Sequence, residues 1–126
     1  MKFKLYEYKN CSTCQKALKF LESEKIAFDR IAIVDQPPSL VEIKQMLEHI
    51  KKNGGSLKNL LNTSGQQYRE LKIAEQLKSG LSEHNLLKLL SENGKLVKRP
   101  FLLAKNLGLV GFKVDEWARA LKNHEK

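Results

Sequence analysis

The stretch that decides the fold is residues 10–16, which reads NCSTCQK and contains both cysteines of the chain, Cys11 and Cys14. Residues 2–8 before it alternate the apolar Phe3 and Leu5 with other residues, which is typical of a strand. After it, apolar residues recur at helical spacing to about residue 24, at Cys14, Ala17, Leu18 and Leu21. The pattern therefore predicts a strand, a turn and a helix, with Cys11 at the helix start and Cys14 on the buried face.

The next segments predict a second strand followed by helices. The strand is expected over residues 26–34, and the Pro37-Pro38 pair breaks the chain after it. A capping box formed by Ser39 and Glu42 then begins a helical stretch that extends to about residue 95. Since a strand–helix–strand unit joins parallel strands, the start of the chain predicts two parallel strands with a helix between them.

The end of the chain predicts two further strands and a helix. Apolar runs at 101–104 and 109–112, connected by residues 105–108, are typical of a β-hairpin that follows Pro100. A closing amphipathic helix carries apolar residues at Val114, Trp117, Ala118 and Leu121. The element order is thus βαβ, a helical stretch and ββα, which is typical of an α/β fold with a thioredoxin-like sheet.

Length and element order together predict a single domain over residues 1–126. A chain of 126 residues has the usual size of one domain, and its 41% hydrophobic content is sufficient for an ordinary core. We expect residues 1–36 and 96–126 to form the thioredoxin-like core. Residues 37–95 are then a helical subdomain inserted into that core.

Charge and hydropathy exclude several classes of protein. The chain has 23 Lys and Arg residues against 14 Asp and Glu, which gives a net charge of +9, and its lysines are spread along the sequence. We find neither a groove-reading helix nor a basic–aromatic pattern, so direct reading of nucleic acid is not expected. No apolar run reaches the roughly 18 residues of a membrane span, and the start lacks the apolar region of a signal peptide. We therefore expect a cytoplasmic protein that does not enter a membrane.

The cysteine pair has three interpretations, of which the redox one is favoured. A lone C-x2-C supplies only two of the four ligands of a structural zinc site, and the histidines are far apart in sequence, so we expect no metal. Cys14 alone could be a buried core thiol. Cys11 fits that interpretation poorly, because it lies in a polar turn between Asn10 and Ser12. In the cytosol a close cysteine pair after a strand is more typical of redox chemistry than of a structural disulfide.

The redox interpretation assigns a different role to each thiol. Residues i and i+3 at a helix start are about 5 Å apart at Cα, which a disulfide can bridge. The unpaired N–H groups and the positive dipole of the first turn would stabilise a thiolate at Cys11. We therefore predict Cys11 as the nucleophile and Cys14 as the thiol that resolves the mixed disulfide. The neighbouring Asn10, Ser12 and Thr13 are predicted to support the site.

Two distant segments are candidates for the same site. In a thioredoxin-like sheet, a cis proline commonly opens the strand that faces the helix start, and Pro100 stands where that proline is expected. Arg99 would then be carried to the thiolate or to a bound anion; the alternative is an exposed arginine before an ordinary trans proline. Asn62 begins the polar segment 62–65, which is either a plain helix stop or part of the cleft beside Cys11.

Four segments together resemble the arsenate reductase-like (ArsC/Spx) family. They are YKNCSTCQKA near the start, LLNTSGQQYREL at 60–71, LVKRPFLL at 96–103 and GFKVDEW at 111–117, so the resemblance spans the whole chain. It implies a thioredoxin-like fold with a helical insert, an active cysteine at Cys11 and an arginine–cis-proline pair at Arg99-Pro100. Arsenate reductases of the family have two further arginines. Here Asn62 and the segment 111–113 stand in their places, which makes arsenate reduction the less expected activity.

The resemblance is closer to the uncharacterised Spx-like branch and leaves two functions open. The favoured one is a glutaredoxin-like thiol–disulfide oxidoreductase without a cofactor, with glutathione or another thiol as co-substrate and a cellular thiol or disulfide as partner. The alternative is an Spx-type redox-sensing transcriptional regulator, for which the family implies binding to the RNA polymerase alpha subunit. Both functions depend on the same cysteine pair, so the sequence does not exclude the regulator. We favour the enzyme because the chemistry of the site, rather than the fold, decides function.

Overall fold

A computed structural model describes residues 3–63 and 65–124, and Lys2, which we expected in the first strand, lies outside these residues. The strands β1 to β4 span Phe3–Glu7, Phe28–Ala32, Phe101–Ala104 and Leu107–Val110. The helices α1 to α6 span Ser12–Ser23, Leu40–Lys52, Gln66–Glu70, Ile73–Lys78, Glu83–Glu92 and Val114–His124. Short 3-10 helices cover Leu57–Leu60 and Gly94–Leu96.

The four strands form one sheet in the order β2-β1-β3-β4. β1 pairs with β2 in parallel, with Leu5 opposite Arg30, and with β3 antiparallel, with Leu5 opposite Leu102. β3 and β4 form the predicted hairpin. The βαβ start, the ββα end and the helical segment between them are therefore confirmed.

Strand alternation divides the interior into two hydrophobic clusters, one on each face of the sheet. Phe3 and Leu5 of β1 lie on the face covered by α1 and α6, together with Leu21 and Trp117. Tyr6 lies on the opposite face, which the helices of the segment between β2 and β3 cover. Successive side chains of a strand point to opposite faces, so odd-numbered positions of β1 face α1.

The hairpin is tighter than the sequence pattern predicted. β4 begins at Leu107, which pairs with Ala104, so only residues 105 and 106 form the turn. We had placed Leu107 and Gly108 in the connection. Gly108 lies in this strand at a position where a side chain would not fit. A Cβ there would lie 2.7 Å from the His49 ring and 2.8 Å from the Met46 sulfur. The glycine thus allows α2 to pack closely on the hairpin.

Three other predicted boundaries differ from the structure. β2 is shorter than the predicted strand over 26–34. The predicted helical stretch is interrupted at Lys72, which lies between α3 and α4 and whose φ of 51° is left-handed. In α6, Trp117 and Leu121 are buried as predicted, whereas Val114 is 53% exposed and Ala118 is also exposed. Val114 is the first residue of its helix.

Candidate active site

Cys11 is the N-cap of α1. Its backbone is extended, with φ −104° and ψ 112°, and its sulfur accepts a 3.2 Å hydrogen bond from the backbone N–H of Cys14. The Cys11 N–H itself donates to the carbonyl of Tyr8 at 3.1 Å. The side chain is half-buried, so it remains accessible from solvent. The predicted position of this cysteine at the helix start is confirmed, and one N–H of the first helical turn already points at its sulfur.

Cys14 lies in the first turn of α1 and is fully buried. Burial is the main reason that the pKa of its thiol is raised to about 12, and a hydrogen bond with the Cys11 sulfur and the nearby Glu7 charge raise it further. The backbone N–H of Tyr8 acts in the opposite direction. Both cysteines are free thiols. The pair therefore consists of an accessible thiol and a buried thiol that holds its proton firmly.

Arg99 precedes a cis peptide bond to Pro100, as predicted, and Pro100 is buried. The guanidinium carbon of Arg99 lies 4.6 Å from the centre of the Tyr8 ring, which is a cation–π contact. Its Nη1 atom is buried, with no hydrogen-bond partner among the residues that the structure describes. A buried guanidinium N–H without a partner is a donor available to an anion.

Tyr8 connects the cysteine turn with Arg99. Its carbonyl accepts the Cys11 N–H, and its ring lies under the guanidinium of Arg99. Sequence analysis did not select Tyr8. The available signal was its place directly after β1, where a strand end and the cysteine turn meet.

Asn62 holds the chain segment that leads to Arg99. Its backbone N–H donates to the Leu96 carbonyl at 2.8 Å, and its side-chain amide donates to the Lys95 carbonyl at 3.2 Å. An antiparallel bridge between Leu61 and Val97 lies beside these bonds. The structure thus gives Asn62 a bracing role, and a direct contact with substrate stays a prediction.

A cleft of about 560 Å³ extends from this region, and Thr13 and Arg99 both line it. Lysines supply most of its charge, with one carboxylate at Glu116. Its other polar and charged lining residues are Asn53, Lys58, Asn59, Thr63, Lys98 and Lys113. The excess of cations favours an anionic occupant.

The remaining predicted residues have different positions. Asn10 is exposed and its amide donates to the Tyr8 hydroxyl at 3.5 Å, while Ser12 is exposed on the first turn of α1. Within the described ranges, no group of three His, Cys, Asp or Glu side chains could hold a metal ion. No helix in the described part of the chain is long and apolar enough to cross a membrane.

Glu7 is a further residue of this region that sequence analysis missed. It is the last residue of β1 and is only 6% exposed. One oxygen, Oε1, accepts a 3.1 Å hydrogen bond from Nε of Arg30, whose side chain is 57% exposed. The other oxygen, Oε2, is buried and lacks a hydrogen-bond partner within the described residues. The signal for its burial was the alternation of Phe3 and Leu5, which places position 7 on the same face.

Comparison with known proteins agrees with this geometry. The model of the ArsC family matches residues 6–120. The chain is 42% identical over 117 residues to the uncharacterized protein YusI of Bacillus subtilis, covering 93% of this chain and 96% of that protein. It is 31% identical over 107 residues to the global transcriptional regulator Spx of Streptococcus agalactiae, covering 85% of this chain and 74% of the regulator.

A solved structure shows the same fold. The crystal structure of an ArsC-family-related protein from Bacteroides fragilis superposes with a TM-score of 0.84 at 40% identity, and the match covers 95% of this chain and 98% of that one. This likeness confirms the thioredoxin-like fold with its helical insert. Fold, cysteine turn and arginine–cis-proline pair thus occur together in a chain whose sequence matches one family model from the end of β1 to α6. The protein belongs to the ArsC family.

Proposed function

We propose that this protein is a cytoplasmic thiol–disulfide oxidoreductase in which Cys11 is the nucleophile and Cys14 the resolving thiol. The observation that carries the proposal is the hydrogen bond from the Cys14 N–H to the Cys11 sulfur at the start of α1. A helix N-terminus stabilises a negative sulfur through this N–H and the helix dipole. The buried Cys14 is next to it, one turn along the helix.

The reaction requires only the two thiols and a disulfide substrate. The Cys11 thiolate attacks one sulfur of the substrate, the substrate disulfide breaks, and its other half leaves as a thiolate. The Cys14 thiolate then attacks the Cys11 sulfur of the mixed disulfide. The second half of the substrate leaves as a thiolate, and an internal disulfide joins Cys11 and Cys14. Two molecules of a cellular thiol such as glutathione reduce that disulfide, become a disulfide themselves and close the cycle.

Arg99 and the cationic cleft favour an anionic substrate. The buried Nη1 of Arg99 has no hydrogen-bond partner within the described residues, and Lys58, Lys98 and Lys113 line the same cleft. Disulfides that carry carboxylates, such as glutathionylated proteins, have groups that these cations could bind. We do not propose arsenate reduction, because Asn62 stands in place of one anion-binding arginine and the Gly111-Phe112 pair in place of the other.

The test compares the two cysteines as matched variants. Wild-type protein is expected to reduce a small disulfide in the presence of glutathione, and Cys11→Ser is expected to abolish this activity. Cys14→Ser is the control, since it keeps the nucleophile and should accumulate a mixed disulfide that intact-mass spectrometry detects. Full activity of Cys11→Ser would overturn the mechanism.

A redox-switched transcriptional regulator is the second candidate. The similarity to proteins named global transcriptional regulator Spx, at 31% identity, favours it. In this proposal oxidation of the pair changes the surface presented to the RNA polymerase alpha subunit. A pull-down with oxidised, reduced and cysteine-free protein tests it. Binding that depends on the oxidation state supports the switch, and equal binding by all three forms removes it.

A further inference from the structure

We propose that Glu7 is the proton acceptor for Cys14, so that this strand carboxylate activates the resolving thiol. The proposal rests on the thiol–disulfide exchange proposed above and assigns a residue to its second step. Three observations on Glu7 lead to it: its place at the end of β1, its burial, and the unpartnered state of one oxygen within the described residues.

Strand alternation places the carboxylate under the cysteine. Phe3 and Leu5 pack against Ala17, Leu18 and Leu21 of α1, and these helix residues share a face with Cys14. Glu7 follows Leu5 at the next position on that side of β1. Only residues 8–11 separate the end of β1 from α1, so Glu7 and Cys14, the first buried residue of the helix, belong to adjoining ends of the two elements.

The electrostatics of Cys14 agree with this placement. The Glu7 charge is one of the influences that raise the pKa of the Cys14 thiol, so the two side chains are near enough to interact. A thiol that holds its proton so firmly is inert at neutral pH, since only the thiolate is nucleophilic. The resolving step therefore needs a group that accepts the proton as the sulfur attacks.

A purely structural role of Glu7 explains the environment of only one of its two carboxylate oxygens. The bond from Arg30 to Oε1 ties β1 to β2, and this accounts for one oxygen. Burying the second oxygen without a partner lowers stability, which a structural ion pair would avoid. An oxygen that accepts a proton during the reaction must be open to that proton, and a permanent hydrogen-bond donor would occupy it.

The step balances in atoms and electrons. In the mixed disulfide, Cys11 is joined to the substrate sulfur. The Cys14 S–H gives its proton to Oε2 of Glu7, and the Cys14 sulfur forms a bond with the Cys11 sulfur. The bond between Cys11 and the substrate breaks, and the electron pair leaves with the substrate thiolate. Glu7 then releases the proton to that thiolate or to solvent. The titratable groups that interact with this pair are Arg30 and Cys11.

A chromogenic aromatic disulfide that releases one coloured thiolate at each step separates the two events in stopped-flow measurements. The first release reports attack by Cys11, and the second reports resolution by Cys14. For Glu7→Gln we expect an unchanged first release and a second release about 10²-fold slower at pH 7, the usual scale of general base catalysis. In Glu7→Gln the rate of the second release should rise about tenfold per pH unit between about pH 7 and 10, because hydroxide must then deprotonate Cys14. Wild type should depend on pH much less over this range.

Two further variants separate proton transfer from structure. Glu22→Gln removes an exposed carboxylate from α1 and is the matched charge control, for which both releases should equal those of wild type. Arg30→Gln breaks the ion pair but keeps Glu7, and its second release should keep the weak pH dependence. A Glu7→Gln variant that slows equally at every pH, or not at all, would overturn the proposal. If Glu7→Gln does not fold, a wild-type second release proportional to hydroxide concentration would overturn it as well.

The same assay distinguishes the two proposals. If wild type gives no first release, the oxidoreductase function itself fails. If both releases occur and the second is unaffected by Glu7→Gln, the function stands and only the role of Glu7 fails.

Discussion

The backbone N–H of Cys14 donates a hydrogen bond to the sulfur of Cys11, so the buried cysteine contacts the sulfur of the accessible one through its main chain. One helical turn thus combines two opposite environments. The sulfur of Cys11 is half-exposed at the helix end, and the sulfur of Cys14 is fully buried. The difference between these environments can be measured directly.

Alkylation of the reduced protein should be highly selective. At pH 7 a thiol with a pKa of about 12 is thiolate to about one part in 10⁵, and burial further blocks the reagent. We expect iodoacetamide to modify Cys11 at least about 10²-fold faster than Cys14, as followed by peptide mass spectrometry. The rate at Cys14 should rise about tenfold per pH unit from about pH 7 to 10. In urea the two rates should converge, and equal rates in native protein would contradict the assigned environments.

Arg99 should bind anionic substrates through its planar guanidinium. Arg99→Lys keeps the charge but removes the fork, and a charge-assisted hydrogen bond contributes about 1.5–3 kcal/mol. We therefore expect kcat/KM for a small disulfide that carries carboxylates to fall about 10- to 100-fold, and the loss to be smaller for an uncharged disulfide. Arg119→Lys, an exposed position on α6, is the control. An equal loss for both substrates would show that Arg99 does not bind the anion.

Acid should destabilise the fold through Glu42. Burial by itself would raise the pKa of this carboxyl, but the Ser39 N–H, the Tyr6 hydroxyl and Lys4 outweigh it, and the pKa lies below its usual 4.5. A carboxyl with a lowered folded-state pKa contributes stability that is fully present above its unfolded pKa. That contribution is lost as pH falls through the folded pKa.

Urea unfolding of wild type and Glu42→Gln at a series of pH values measures this contribution. The variant should be less stable than wild type by about 1–2 kcal/mol at pH 7, since the capping box and the bond with Tyr6 are weakened. The difference should shrink below about pH 4.5. A difference that stays constant down to about pH 2 would contradict the assignment.

Gly94 should be the glycine that tolerates a methyl group least. A Cβ there would lie 1.9 Å from the backbone oxygen of Ile33, where the neighbouring chain cannot move aside as a flexible side chain could. We expect Gly94→Ala to lower the free energy of unfolding by at least about 3 kcal/mol. Gly54→Ala is the control: its φ of +88° is unfavourable for alanine, but its Cβ meets no atom within 4 Å. Its loss should be about 1 kcal/mol in the same urea titration.

The sequence was sufficient for the parts of the fold that depend on local chemistry. The spacing after Cys14 identified α1, and the capping box of Ser39 and Glu42 identified the start of α2, because side-chain periodicity and capping are local. The cis bond at Pro100 was expected for a thioredoxin-like sheet, with an ordinary trans bond as the alternative, and the structure shows the cis bond. The position of Cys11 at the helix start could be predicted from the same local spacing as α1.

Features that depend on tertiary contact could not be predicted in this way. Gly108 looked like a turn residue, and only the close packing of α2 explains why a strand needs a glycine there. Lys72 separates two helices without a glycine or proline to mark the break. Sequence analysis did not select Glu7, although the spacing of two residues from Leu5 places it on the same face as Phe3 and Leu5. Cys14, the thiol for which we propose Glu7 as proton acceptor, belongs to another element, α1.

The short pairing between residues 60–62 and 95–98 has a mechanical consequence. The Lys98 N–H donates to the Leu60 carbonyl at 2.7 Å, immediately before Arg99. The helical insert therefore cannot loosen at this edge without releasing the backbone that sets the position of the guanidinium. A molecule that docks on the insert and shifts Leu60 would displace Arg99 without touching either cysteine. The insert thus holds the backbone next to Arg99 and also covers one face of the sheet.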